Sequence, residues 1–430
     1  MTTSLIPKMI EVRQSYPPSK HMDVPAVVRE QFAKSGVLGQ VKPEMRIAVG
    51  VGSRGISNLS AIVKAALEVL IGAGAKPYIV PAMGSHGGAT PEGQTKVLAD
   101  YGVTAETMGV PVDARMDVRK IGEAFGGRDV VFSAAALDAD AIVAINRVKP
   151  HTDFHGEMGS GIQKMLAVGF GKQIGANLAH SAAVHEGYLE AFREYARVAI
   201  EKVPLLCGLT IIEDQHHQTA EIEVLPHDSI VSDEQRLIVR ATELLPRLPF
   251  DEIDLLIVDE MGKEISGTGM DTNIIGREIH GYSSSLRPND HAPADDHSIW
   301  IRRILVCSLT EGSKGNGTGL GLADFATARL VKALDLKATY VNALTSLGVV
   351  TPKIPIHFDN DREAIERALA TLASLHPETL RVVRIANTLR LEKLLVSESC
   401  AEALKGRPGI TLGERSEGMQ FDAEGNLLPL

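Results

Sequence analysis

Cysteine is scarce: Cys207, Cys307 and Cys400 lie far apart and form no CxxC pair. A disulfide framework or a thiolate zinc site is therefore not expected, and a reducing compartment fits. Aromatic residues make up only 4%, with Trp300 the one tryptophan, which argues against base-stacking platforms. Positive charge is not in excess, because 44 Lys and Arg against 54 Asp and Glu leave a net of −10. That balance disfavours a nucleic-acid partner, which needs a basic face. Long apolar runs are lacking too. The best membrane-span candidate, 61–75, is short and interrupted by Lys64 and Glu68, so no membrane partner is expected. The first eighteen residues carry no basic-then-apolar signal pattern, and a cytoplasmic protein is expected.

What the chain does have is length, apolar content and glycine. At ~150 residues per domain, 430 residues suggest two or three domains. With 44% hydrophobic and 23% charged residues, it has the composition of a folded globular protein.

Val- and Ile-rich runs alternate with segments of helical period, which predicts α/β architecture with largely parallel strands. Strands are expected at 46–52, 77–83, 141–148 and 208–213, with helices at 58–72, 91–100 and 180–201. Pro246, Pro249 and Asp251 interrupt a helix, and 253–260 (IDLLIVDE) starts a new buried strand. From there strands at 304–309, 339–344 and 381–386 and helices at 321–334 and 362–375 are expected. This divides the chain into residues 1–250, a second α/β domain at 251–397, and a tail at 398–430. The active site is expected in the cleft between the two domains. The polar, proline-punctuated stretch 283–297 reads as an exposed loop.

In open α/β sheets, ligands gather at the carboxyl ends of strands. The unusual residues collect there: Gly52-Ser53-Arg54-Gly55, then Gly84-Ser85-His86-Gly87-Gly88, then Lys149-Pro150-His151 with Thr152, Asp153 and His155. Arg54 beside Ser53 suits an anion, because a guanidinium binds carboxylate or phosphate bidentately. Lys164 lies in the glycine-dense segment 159–175, where a lysine is either a solvated helix residue or a reactive amine reaching a cofactor. The loop 312–321 (GSKGNGTGLG) matches neither GxGxxG nor GxxxxGK[ST], and no GxGxxG follows the first strand, so a nicotinamide dehydrogenase fits poorly.

The set GSHGGAT (84–90), VKPHTDFHGE (148–157), GIQKMLAVG (161–169) and His180 resembles the nickel-dependent lactate racemase family over most of the chain. In that family the cofactor is a nickel-pincer nucleotide, a pyridinium mononucleotide tethered to a lysine through a thioamide, with a histidine completing the nickel's coordination. The resemblance implies that Lys164 is the tether and His180 the nickel ligand. It makes His86 and His151 the two histidines that exchange the substrate hydroxyl proton, and Arg54 the arginine lining the site, with Ser53 beside it toward the cofactor.

The residue types suit that chemistry. Racemising a 2-hydroxy acid by removing the C2 proton is hard, because the carbon acid is very weak. Removing a hydride gives a 2-oxo acid that can be re-reduced from its other face, and a base on each side explains two histidines.

Departures from the family pattern bear on the substrate. The position three before Arg54 is Val51, where the family usually has an acidic residue. After Asp271-Thr272-Asn273 the family's glutamine and lysine are missing, which leaves Arg277 or His280 as a replacement carboxylate anchor. The expected activity is a racemase or epimerase, an isomerase acting on a small-molecule 2-hydroxy acid other than lactate. His155 competes with His151 as the second base. Two other readings stay open: a non-catalytic relative that senses the cofactor or an anionic metabolite, and a zinc-dependent hydrolase using His151, His155 and His180 with Glu157 as base. The sequence leaves the oligomeric state open.

Overall fold

The computed structural model describes residues 5–52, 55–152, 154, 156–277, 279, 299–372 and 376–430. The expected loop at 283–297 lies outside them. The chain forms two compact units, residues 18–245 and residues 246–430 together with 1–17.

In chain order the strands are β1 (Met9–Gln14), β2 (Arg46–Val51), β3 (Lys76–Pro81), β4 (Val118–Ala124), β5 (Arg128–Ser133), β6 (Ala141–Arg147), β7 (Leu205–Glu213) and β8 (Thr219–Pro226). They continue with β9 (Glu252–Met261), β10 (Trp300–Leu309), β11 (Phe325–Thr327), β12 (Ile356–Phe358), β13 (Val382–Asn387), β14 (Arg390–Ser397) and β15 (Ile410–Glu417).

The unit 18–245 is built on a five-stranded sheet in the order β3-β2-β6-β7-β8, parallel except for β8. Strands covered on both faces need apolar side chains at nearly every position, and β2, β3 and β6 have them. On one face, helix Leu59–Gly72 buries Leu59, Ile62, Val63, Ala66, Leu67 and Leu70 at the expected helical spacing. On the other, Ala199 of helix Tyr188–Lys202 and Leu237 of helix Ile230–Glu243 join Ala48, Val80, Ile142 and Ala144 in one buried cluster, while Phe192, Tyr195 and Ala196 pack against Ala124 and Val130 of the β4–β5 hairpin.

The helix expected at 180–201 is two helices, Lys172–Glu186 and Tyr188–Lys202, divided at Gly187 with φ 85° and ψ 152°. A side chain rarely adopts that backbone conformation, so the glycine sets the break.

The second unit carries an eight-stranded mixed sheet in the order β12-β11-β10-β9-β13-β14-β1-β15. Its centre is parallel and apolar, and β13, β14, β1 and β15 pair antiparallel. Two corrections to the expected organisation follow. Residues 9–14, expected in the first domain, are a strand of this sheet, and residues 410–417, expected as a tail, are its edge.

Two element types also differ. Residues 339–344, expected as strand, lie in the helix Leu336–Thr345, which Asp335 caps by accepting the Ala338 amide hydrogen. The helix expected at 321–334 is the short strand β11 followed by helix Ala328–Lys332, capped by Thr327. The three cysteines are buried free thiols. No helix among the described residues is long and apolar enough to cross a membrane.

Candidate active site

The carboxyl ends of β2, β3 and β6 all meet the segment 161–176. The first contact comes from β6, where Asn146 donates to the Gly161 carbonyl at 2.8 Å. A Cβ added at Gly52, just past β2, would lie 3.0 Å from the Asn146 side chain and 3.5 Å from Met165. Past β3, the Gly84 amide donates to the Gly169 carbonyl at 3.0 Å.

Lys164 ends the short helix Ile162–Lys164, which continues as a π-helical turn, Met165–Gly169. Such turns cluster at functional sites. The start of this segment is held by Glu234, fully buried, whose carboxylate accepts from the Ile162 amide at 2.7 Å and the Gln163 amide at 3.1 Å. Burial pushes that carboxyl up to about 7, and the hydrogen bonds from Gln163 and Ile162 only partly oppose the shift.

His151 sits in the loop after β6, whose base is closed by Lys149 and Ser160 exchanging backbone hydrogen bonds of 2.9 and 2.8 Å. The imidazole is 5% exposed and stacks on Phe154, ring centroids 4.3 Å apart. Its Nε2 contacts the Lys164 Nζ.

His180 lies on helix Lys172–Glu186, and its Nδ1 is 2.6 Å from the Ala176 carbonyl. A carbonyl only accepts, so Nδ1 carries the hydrogen and, in the neutral ring, Nε2 carries the lone pair. A bond from one ring nitrogen to a backbone carbonyl is also the form that commonly orients an imidazole whose other nitrogen ligates a metal.

Phe192 joins these groups. Its ring is 5.7 Å from the Lys164 Nζ, 5.4 Å from the His180 ring, 5.7 Å from Phe154 and 5.6 Å from Tyr188. The structure thus brings His151, Lys164 and His180 around one buried aromatic.

His86 is exposed, in the turn after β3. That turn packs on the same segment, since a Cβ at Gly84 would lie 3.5 Å from the Val168 carbonyl and 3.6 Å from Ala176. Gly87 has φ 65°, and a Cβ there would come within 2.6 Å of the Gly93 backbone, so only glycine fits.

Ser53, Arg54, His155 and His280 lie outside the described residues. Just past Ser53 and Arg54 in the chain, Arg147 pairs with Glu213 and donates to the Gly55 carbonyl, and Glu213 accepts the Ser57 amide hydrogen.

Arg277 is corrected as a substrate anchor. Its guanidinium is buried, pairs with Asp324 at 2.9 Å and donates to the Ile301 carbonyl at 3.0 Å. Its charge is already neutralised inside the second unit. Glu157, the base of the zinc-hydrolase reading, is an exposed surface carboxylate that accepts from Arg193 and Gln235. Among the described residues no group of three His, Cys, Asp or Glu is arranged to hold a metal ion.

Sequence reasoning missed Phe154, Phe192, Glu234, Gln94 and Lys172. A signal for the aromatics was present. In a chain only 4% aromatic, Phe154, Tyr188 and Phe192 fall within thirty residues of Lys164.

No protein-family profile and no curated protein sequence matches this chain. Among solved structures, it is similar to the lactate racemase apoprotein from Thermoanaerobacterium thermosaccharolyticum at 14% identity. That match has a TM-score of 0.48 and covers 81% of this chain and 97% of the other. It is also similar to a protein from Thermotoga maritima at 13% identity and a TM-score of 0.47, over 66% of this chain and 70% of that one.

Proposed function

We propose that the chain is a racemase or epimerase of a 2-hydroxy acid other than lactate, an isomerase that works with a lysine-tethered nickel-pincer nucleotide. The observation that carries this reading is the convergence of His151, Lys164 and His180 around Phe192.

The donor set fits such a group. Lys164 would hold it through its amine, and His180 would ligate nickel through Nε2, the nitrogen opposite the one bound to Ala176. Bound there, the nucleotide would supply a site that accepts a hydride from C2 of the substrate and returns it.

The chain's own residues do the rest. His151 takes the hydroxyl proton on one side and His86 on the other, each returning it in the opposite direction. Phe154 stacked on His151 limits the tilt of that imidazole. Arg54 binds the substrate carboxylate in this reading, because the second unit's Arg277 is committed to Asp324. The aromatic wall of Phe154, Tyr188 and Phe192 keeps water from the reacting carbon.

The test is an assay of racemisation over a panel of 2-hydroxy acids, using protein from its native host whose intact mass shows an adduct on Lys164. Turnover is expected, and Lys164→Ala and His86→Ala should each abolish it. Adduct-bearing protein that is stabilised by a hydroxy acid without turning it over would overturn the reading in favour of a sensing relative.

A further inference from the structure

Lys172 is the first residue of the helix that carries His180. It is fully buried and holds a left-handed backbone conformation, φ 54°, which is uncommon for a residue with a side chain. Both features carry a cost, and a methionine or leucine would fill the same volume without the charge.

The Nζ donates to the Pro81 carbonyl, at the end of β3, at 2.7 Å, and to Gln94 Oε1 at 3.1 Å. Gln94 is also fully buried, and its Nε2 donates to the carbonyls of Gly84 at 2.9 Å and His86 at 3.3 Å. The backbone acceptors of this chain of donors, Pro81, Gly84 and His86, all lie on the turn that presents His86 or on the strand that leads into it. Burial pushes the Lys172 ammonium down to about 8, although Asp113 and Asp117 act in the opposite direction.

We propose that Lys172 and Gln94 are positioning residues that lock the His86 turn to the start of the His180 helix, so that a proton-exchanging imidazole and a metal-ligating one keep a fixed relation. This rests on the proposed role of His86, but its test does not need that role.

The variants are Lys172→Met and Gln94→Glu. The second keeps an acceptor for Lys172 while removing the donor to the turn. Amide exchange of 84–89 is expected to rise about tenfold in both, and the His86 signals in spectra of histidine-labelled protein should shift while those of His227 stay in place. With loaded cofactor, kcat should fall about tenfold with KM nearly unchanged, as for loss of an interaction that matters only in the transition state. Unchanged exchange and unchanged His86 signals in a folded variant would overturn the inference, and Gln94→Glu decides if Lys172→Met does not fold. If exchange and signals change but no hydroxy acid is ever turned over, the clamp stands and the racemase reading falls.

Discussion

Arg277 shows how one contact reassigns a residue. By position in the chain it could anchor a carboxylate, yet its guanidinium lies against Asp324, whose Oδ2 also accepts the Ile304 amide hydrogen at 2.8 Å. Removing one member of a buried pair leaves the other charged and poorly compensated. Arg277→Met should therefore destabilise the protein by about 2–3 kcal/mol, toward the low end because Asp324 keeps some exposure and one backbone donor. Denaturant unfolding of the second unit reads this directly. The same variant should leave KM for the substrate unchanged, whereas a substrate anchor would raise it at least tenfold. Lys172 and Glu234 were hidden from the sequence for a related reason. A lone charged residue in a linear chain reads as surface, and only the folded chain shows that Lys172 lies between Pro81 and Gln94, 91 and 78 positions away.

Among elements, the parallel strands were the most legible, because burial on both faces leaves an apolar run at β2, β3, β6 and β9. The glycine-rich turns that end these strands were legible too, which is why His86 and His151 stood out. Elements with weaker local signals were not. Helix Leu336–Thr345 contains Thr339, Tyr340 and Val341, which favour a strand, but its Asp335 cap and its position at the surface override that preference. The short helix and π-turn around Lys164 also escaped notice, since their stability depends on Glu234, seventy residues away. That dependence has a pH signature. The Glu234 carboxyl titrates at about 7 when folded, against an ordinary value of 4.5. A folded value above the unfolded one means that the folded protein binds the extra proton between these two pH values. The contribution is then fully present below pH 4.5 and lost as pH rises through 7. Glu234→Gln is neutral throughout. Across that window the wild type should lose stability relative to the variant by on the order of 3 kcal/mol, measured by urea unfolding at a series of pH values. Parallel curves for the two proteins would show that Glu234 keeps an ordinary value.

At the scale of the whole chain, the unexpected feature is that the second unit is assembled from both ends. Strand β1 pairs with β14 on one side and with β15 on the other, joining residues about four hundred positions apart. Sequence patterns report local periodicity and carry little trace of such distant pairing, so residues 1–17 and the last thirty appeared peripheral. The closing segment is tied to the core by specific bonds. The Leu427 amide donates to Asp361 Oδ2 at 2.7 Å, and Arg384 donates to the Leu428 carbonyl at 2.6 Å while also pairing with Asp259. Arg362 stacks over Phe421 at 4.1 Å, and Met419, Phe421 and Leu427 pack against the cluster of Ile365, Leu369, Leu380 and Val382. Asp361 is completely buried, and burial already raises its carboxyl against the pull of Leu427 and Arg329. Deleting residues 418–430 removes a donor from that carboxylate, an acceptor from Arg384 and the cover over an apolar cluster. A loss of about 3–5 kcal/mol is expected, from the lost packing of Met419, Phe421 and Leu427 on that cluster and two broken, partly buried hydrogen bonds. The loss should be confined to one unit. Hydrogen exchange followed by mass spectrometry should show faster exchange in β9, β10 and β13, and unchanged exchange in β2, β3 and β6. Equal protection of β9, β10 and β13 in the truncated and full-length chains would show that the closing segment contributes little to the second unit's stability, despite its bonds to Asp361 and Arg384.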